Sequence, residues 1–260
     1  MRLFSKRLAK SVTTDMTVEV TESRGIRQLH LGTGAIQSAM RVNRPWDLEL
    51  AYTRAMMGFL LFNPEPQDVL MIGLGGGSLA KFIRKHRPDT RITAVEISPQ
   101  VVAAARSHFE LPGDDERLQV RIEDGAAYVQ AHPESADVIL LDGFDAGNQV
   151  ESLATIEFYS ACMRALKPGG VLVVNLWGRD TSFATYFSRL VAAFEGKLAW
   201  LPVMNKTNVI AFGMREETQS GKWRDEELAQ LSKRWGLDFA AFARDLHLAH
   251  DIVPLLDERA

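Results

Sequence analysis

The hydrophobic and polar positions from residue 67 onward follow two alternating patterns. Short apolar runs predict strands near 68–73, 91–97, 117–122, 136–142 and 170–177. Helical spacing of the apolar residues predicts helices near 78–87, 99–109, 124–131, 152–166 and 181–195. Strands that alternate with helices in this way are typical of a parallel sheet covered on both faces. The pattern predicts an α/β, Rossmann-like fold whose ligand lies at the carboxyl ends of the strands.

The residues before this region predict a smaller unit. Polar and apolar residues alternate over 17–22, 26–31 and 35–40, which predicts antiparallel strands joined by glycine turns. Because a sheet of so few strands is marginal alone, we expect it to pack on the main domain or on a neighbouring subunit. Apolar spacing over 46–62 predicts a helix that ends before Asn63.

The residues after the alternating region predict two consecutive strands and then two helices. The segments 197–202 and 207–214 follow one another without a helix, so we expect a hairpin at one side of the sheet. Two terminal helices are predicted beyond Trp223. The domains expected are an antiparallel β unit over 1–45, a Rossmann-like domain over 46–214 and a helical extension over 215–260.

Composition narrows the classes of function. The 260 residues carry 30 basic and 33 acidic side chains, a net charge of −3, which argues against nucleic-acid binding and favours a small-molecule substrate. Cys162 is the single cysteine, so we expect no disulfide and no cysteine metal site. No metal ligand is expected among the site residues.

The amino-terminal residues, MRLFSKRLAKSV, mix basic residues with short apolar ones. They lack the continuous apolar core of a signal peptide, and no apolar run in the chain is long enough to predict a membrane span. A frayed, solvated terminus is expected, with contact to a membrane or a partner as the alternative. We expect a cytoplasmic protein that does not bind membranes.

A glycine-rich turn after the strand at 68–73 is the main functional signal. The turn contains Gly73, Gly75 and Gly76, and the next helix begins directly after it. Glycine allows positive φ and leaves room for a ligand against the backbone. Glu96 ends the following strand, where a carboxylate suits both ribose hydroxyls. The combination predicts a nucleoside site, whereas the glycines alone are also typical of a structural turn.

The turn does not match the common phosphate-binding motifs. Ser78 and Leu79 stand where a dinucleotide motif needs a third glycine, and no Gly-Lys-Ser/Thr follows. The better match is the class I AdoMet-dependent methyltransferase fold, whose ligand has no phosphate. Further acids end the third and fourth strands, at Asp124 and from Asp142 to Asp145. These acids are also suited to capping a helix or forming a turn.

Several motifs in order resemble the spermidine synthase family of polyamine aminopropyltransferases, over about residues 17–214. LGTGAIQSAM resembles the family's Leu-Asp-Gly-x-x-Gln hairpin, AYTRAM its Tyr-(Gln/His)-Glu-Met helix and DVILLDGFDAG its Asp-Ser-Ser-Asp-Pro loop. IGLGGG, AVEIS and EDGAAYV lie between them. The resemblance implies a transferase of polyamine biosynthesis that moves an aminopropyl group from decarboxylated AdoMet to an amine such as putrescine. No tightly bound cofactor is implied.

The resemblance implies roles for individual residues at the nucleoside end. Gln37 and Glu96 would hold the ribose or the thioether end. Asp124 would accept from the adenine amino group, with Gly125 letting the ring approach. The glycines expected to contact the donor are Gly73, Gly75 and Gly76.

The resemblance also implies a set of catalytic residues. These are Asp142, Asp145 and Tyr52, and Asp142 would contact the donor as well. An amine is protonated at neutral pH, so a carboxylate must take or orient its proton before the nitrogen attacks. Separately from the resemblance, we expect a homodimer to which the amino-terminal hairpins contribute, because a short sheet with an apolar face is not stable on its own.

Some positions depart from the family pattern. Gly76 stands where the family has an acid for the donor's amine, and Thr53 and Arg54 replace Gln/His-Glu. Residues 205–208 replace the family's Tyr-Pro-Ser-Gly. Two alternatives therefore stay open. One is an AdoMet-dependent methyltransferase, with Arg54 binding the donor's carboxylate, and the other is a nucleoside-binding protein without catalysis.

Overall fold

A four-stranded antiparallel sheet begins the chain in the computed structural model. The structure describes residues 5–12, 16–32, 36–145, 148–203, 207–217 and 223–249, and it does not describe the side chains of residues 144–149. Its strands, in spatial order, are β1 (Lys6–Val12), β2 (Thr17–Ser23), β3 (Ile26–Leu31) and β4 (Ile36–Arg41). Strand β1 corrects the expectation of a frayed terminus, because its backbone pairs with β2 from Lys6 to Val12, with a shift of register between Arg7 and Ala9.

The second, larger sheet contains eight strands. Its members are β5 (Asp68–Ile72), β6 (Arg91–Glu96), β7 (Leu118–Ile122), β8 (Ala136–Leu141), β11 (Leu166–Trp177), β12 (Leu198–Val203), β13 (Asn208–Met214) and β14 (His247–Leu248). The spatial order is β14-β12-β13-β11-β8-β5-β6-β7. Strands β11, β8, β5, β6 and β7 are parallel, and β13 and β12 form the expected antiparallel hairpin.

Two short strands, β9 (Phe144–Asp145) and β10 (Asn148–Gln149), pair with each other in the loop after β8. The helices are α1 (Ala51–Met56), α2 (Ser78–His86), α3 (Pro99–His108), α4 (Gly125–Ala131), α5 (Ile156–Ala165), α6 (Phe183–Ala193), α7 (Asp225–Trp235) and α8 (Phe239–Asp245). One apolar cluster joins α1, α2, α3, α7 and α8 to one face of the large sheet, and another joins α4, α5 and α6 to the opposite face. The predicted α/β fold, with a small amino-terminal β unit, is confirmed.

Two predicted helices are shorter than expected. The helix predicted over 46–62 is α1 followed by a 3₁₀ turn, Met57–Leu61. That turn is buried throughout, so its apolar pattern fits either type of helix. The helix predicted over 152–166 begins at Ile156, because the Thr155 hydroxyl accepts from the Phe158 N–H and caps it there.

The small sheet packs on the main domain. This is one of the two arrangements expected from the sequence, and the other was packing on a neighbouring subunit. Its apolar face, including Val18 and Leu29, forms a cluster with Val101 and Phe109 of the main domain. This contact places β2 over α3 and β4 over α2. No helix within the described residues is long and apolar enough to cross a membrane.

Candidate active site

A cavity of about 220 Å³ lies at the carboxyl ends of β5, β6 and β8. Strand β5 has β6 on one side and β8 on the other, so the chain order changes direction at this point of the sheet. Such a crevice is the usual ligand site of an open parallel sheet. The small sheet closes one wall with Met16, Leu31 and Gln37. The cavity therefore needs both sheets to be complete.

The glycine turn draws the strand ends together. Gly73 has φ +89°, and a Cβ at this position would lie 2.3 Å from the backbone oxygen of Asp142. Its N–H donates to the Val95 oxygen at 2.9 Å. A larger residue here would be strained and would push β5 away from the loop after β8. Gly73 and Gly75, both predicted cofactor-binding positions, line the cavity.

Glu96 is held by backbone donors at the end of β6. One carboxylate oxygen accepts from the Leu74 N–H at 3.0 Å, and the other from the Ser98 N–H at 2.9 Å. Burial raises the pKa of Glu96 above its ordinary value, and these N–H groups oppose the rise. The backbone N–H groups of Ile97 and Gly75 also favour its charged form. The carboxylate thus lines the cavity while it braces the glycine turn.

Asp124 and Gly125 line the cavity beside Glu96. An oxygen of Asp124 accepts from the Ala127 N–H at 2.8 Å and caps α4. Asp124 therefore has the capping role that the sequence offered as an alternative to ligand binding. A Cβ on Gly125 would lie 2.5 Å from Cγ2 of Ile72. Gly125 therefore also lets α4 approach β5 closely.

Asp142 and Tyr52 form the other end of the site. The Tyr52 hydroxyl lies 3.1 Å from Oδ2 of Asp142 and 3.0 Å from the backbone oxygen of Gln37, so its one hydrogen is shared between these two acceptors. Burial, and then the charge of Asp142, raise the pKa of Tyr52 well above its ordinary value. Tyr52 is therefore a neutral donor at physiological pH.

Asn175 is a site residue that the sequence analysis missed. Its side-chain Nδ2 donates to Oδ1 of Asp142 at 2.9 Å. Burial raises the pKa of Asp142, and the hydrogen bonds from Asn175 and Tyr52 oppose that rise. The available signal was a single amide inside the apolar strand β11, where Asn175 is 2% exposed. A buried amide of this kind needs polar partners.

Two predicted site residues do not join this cavity in the described structure. The backbone of Asp145 lies in β9, but its side chain falls outside the described part, so its catalytic role stays a prediction. Gly76 is absent from the described lining of the cavity. A Cβ at Gly76 would lie 2.8 Å from both Phe109 Cδ1 and Ser38 Oγ. This position faces packed side chains, so the placement of Gly76 against the donor tail is not supported.

Arg54 also lies away from the cavity. It lines a separate groove of about 1030 Å³ beside α7 and α8. Its guanidinium donates to the backbone oxygens of Leu48 and Glu49 at 2.7 and 3.0 Å. The expectation that Arg54 binds a donor carboxylate is therefore wrong, because its guanidinium is engaged on backbone carbonyls outside the site. Thr53 is buried and donates to the Leu50 oxygen.

The chain was compared with solved structures. A spermidine synthase in complex with the transition state analogue AdoDATO superposes with a TM-score of 0.79 at 21% identity, over 97% of this chain and 89% of that one. Human methyltransferase-like protein 13 in complex with SAH gives a TM-score of 0.59 at 25% identity, over 75% of this chain and 93% of that one. Both therefore share a fold with this chain over the parts that superpose.

Sequence relatives are more specific. Residues 49–181 match the spermine/spermidine synthase domain. A Chromobacterium violaceum protein named polyamine aminopropyltransferase is 42% identical over 248 residues, 95% of each chain. A Neisseria meningitidis serogroup A protein of the same name is 41% identical over 225 residues, 85% of this chain and 86% of its own. The chain therefore belongs to the spermine/spermidine synthase family.

Proposed function

We propose that this protein is a polyamine aminopropyltransferase that uses decarboxylated AdoMet as donor and an amine such as putrescine as acceptor. The observation that carries this proposal is the charge of the cavity. Its titratable side chains, among the described lining residues, are the acids Glu96, Asp124 and Asp142. An acidic cavity favours a cationic donor and a cationic acceptor.

Each end of the cavity suits one part of this reaction. Glu96 and Asp124 are acceptors for the hydroxyl and amino groups of the nucleoside. In this proposal Asp142, which has the neutral Tyr52 hydroxyl 3.1 Å away, receives the proton of the acceptor amine. The amine nitrogen forms a bond to the carbon next to sulfur as the carbon–sulfur bond breaks. The released electron pair stays on sulfur, methylthioadenosine leaves, and the amine proton passes to Asp142.

Methyl transfer from AdoMet is less consistent with this site. AdoMet keeps an α-carboxylate, which needs a basic side chain or free N–H groups as partners. The described lining residues include no lysine, arginine or histidine, and Arg54 lies in the other groove. The family relatives, at 42% and 41% identity, are also named for aminopropyl transfer. A non-catalytic role is disfavoured by the Tyr52, Asp142 and Asn175 contacts, which a simple nucleoside binder does not need.

The test compares three ligands on one protein. We expect decarboxylated AdoMet and methylthioadenosine to bind more tightly than AdoMet in calorimetry, since AdoMet brings a carboxylate among acids. With putrescine present, mass spectrometry should detect spermidine and methylthioadenosine. A methylated product from AdoMet, with no aminopropyl product, would overturn the proposal.

The oligomeric state belongs to the same proposal. We propose a homodimer to which the amino-terminal sheet contributes. Its support is Val12 on β1 and Ile36 on β4, which are 65% and 44% exposed and present apolar surface on that sheet. Sedimentation of the full chain measures the state, and a monomer at micromolar concentration would contradict it.

A further inference from the structure

We propose that Asn175 and Asn208 are positioning residues that form a one-directional hydrogen-bond relay ending on Asp142. Asn208 Nδ2 donates to Asn175 Oδ1 at 2.9 Å, and Asn175 Nδ2 donates to Asp142 Oδ1 at 2.9 Å. Asn208 stands where the related family motif ends in glycine, so no role in the reaction follows from the family pattern. We call these three residues the amide relay.

The strand register explains how the relay forms. Asn175 on β11 lies opposite Ile210 on β13. Asn208 is two residues from Ile210 on the same strand, so its side chain is on the same face and diagonally adjacent to Asn175. Strand β8 lies on the other side of β11 and leads into Asp142. Three neighbouring strands therefore bring the relay together.

The chemistry of the three groups sets the direction of the relay. An ionised carboxylate only accepts hydrogen bonds, so Asn175 must turn its NH₂ group toward Asp142. The carbonyl of Asn175 then points away from Asp142 and requires a donor, which Asn208 supplies. Without Asn208, the amide of Asn175 is free to rotate and present its oxygen to Asp142. That orientation favours a protonated carboxyl, which cannot take a proton from an amine.

Several other groups and effects also act on Asp142, and Tyr52 acts in the same direction as the relay. Tyr52 donates to Oδ2 from α1, and Glu96 and Asp124 lie in the same cavity from β6 and the start of α4. Asp145 follows on the same loop, with its side chain outside the described part. Burial of Asp142 favours its neutral form. The relay opposes this effect and keeps Asp142 ready to accept a proton.

The experiment measures the titration of Asp142 directly. Protein labelled with ¹³C at aspartate carboxyls is titrated by NMR, and the Asp142 signal is assigned by its loss in Asp142→Asn. In Asn208→Ala the amide of Asn175 can turn its NH₂ group away from Asp142, so we expect the pKa of Asp142 to rise by about one unit, the scale of one hydrogen bond to a charged acceptor. Asn208→Asp places an acceptor where the relay needs a donor, and should raise the pKa further. Asn43→Ala, at an exposed asparagine outside the relay, should leave it unchanged.

A conservative variant and the pKa of Asp142 in the other two variants separate the relay from a merely structural role of Asn208. Asn208→Ser keeps a donor hydroxyl, and we expect its Asp142 pKa to lie between those of the parent and Asn208→Ala. If the pKa of Asp142 is the same in Asn208→Ala and Asn208→Asp as in the parent protein, the relay is overturned. This holds whether or not the variants lose thermal stability. The role in transfer rests on the proposed function, but the titration does not. If the Asn208 variants shift the pKa of Asp142 but the parent protein does not transfer an aminopropyl group, the relay is supported and the proposed function is wrong.

Discussion

The two ends of the cavity hold their carboxylates by different means. Glu96 and Asp124, at the proposed nucleoside end, accept from backbone N–H groups of Leu74, Ser98 and Ala127. Asp142, at the proposed reacting end, accepts from the side chains of Tyr52 and Asn175, which lie 90 and 33 residues away in sequence. Backbone donors come with the fold, whereas side-chain donors depend on individual residues. The nucleoside end should therefore tolerate distant substitutions, and the reacting end should not.

The largest effect is expected at the reacting end. Asp142→Asn should lower kcat by about 10³-fold, because an amide cannot accept the amine's proton. Steady-state kinetics with putrescine and decarboxylated AdoMet measure this loss. Binding of methylthioadenosine should persist, because Glu96 and Asp124 are untouched. If the nucleoside affinity falls as far as kcat, the two ends are not separate.

A buried lysine behind the nucleoside end provides the next test. Lys81 is fully buried and donates to the Phe109 oxygen and to Met40 Sδ, and burial lowers its pKa from 10.5 to about 8. Between these pH values the unfolded chain binds more protons, so the free energy of unfolding rises as the pH goes from about 8 to 10.5. The rise should reach up to about 3 kcal/mol, at about 1.4 kcal/mol per pKa unit.

Urea unfolding at pH values below, within and above this window measures that contribution. Lys81→Met removes the titrating group with little change in volume and should flatten the dependence. A parent protein whose stability does not rise across the window would show that Lys81 remains charged in the fold. Ligand contacts are not involved, because Lys81 is not a lining residue of the cavity among those described.

At the nucleoside end itself a smaller effect is expected. Glu96→Ala should weaken methylthioadenosine binding by about tenfold or more, because hydrogen bonds to a charged acceptor are worth about 1.5–3 kcal/mol each. Calorimetry gives the dissociation constant. Glu123→Ala, one residue before Asp124 and outside the described lining, is the matched control. Equal binding by Glu96→Ala and the parent would place the nucleoside elsewhere.

The smallest effect is expected from the hydroxyl of Tyr52. Tyr52→Phe removes one donor from Asp142 and leaves the ring in place, so kcat should fall about fivefold, the scale of one net hydrogen bond. The pKa of Asp142 should rise in the same NMR titration, since a donor that favours its charged form is lost. An unchanged titration would mean that Asn175 alone holds Asp142.

The same contrast explains what could be predicted from the sequence. Local patterns located β5 and β6 to within about a residue, and with them the glycine turn and Glu96. The partners of Asp142 were missed because hydrogen bonds between distant side chains leave no periodic signal. Strand β1 was missed because most of its side chains are exposed and its order comes from pairing with β2.

Gly76 and Arg54 show a second limit. Aligned motifs place a residue along the chain, but the direction of its side chain depends on packing. Phe109 and Ser38 occupy the space next to Gly76, and the carbonyl oxygen of Leu48 binds the guanidinium of Arg54. These three neighbours lie outside the motifs that suggested the two roles, IGLGGG for Gly76 and AYTRAM for Arg54.

The wall that Met16, Leu31 and Gln37 contribute to the cavity links ligand occupancy to the docking of the small sheet. A ligand that binds only when this wall is in place stabilises the docked sheet relative to the undocked sheet by RT ln(1 + [L]/Kd). Occupancy then slows local opening of β2, β3 and β4, and their amide hydrogens exchange more slowly with solvent. The amino-terminal sheet is in this sense a reporter of the cavity's occupancy.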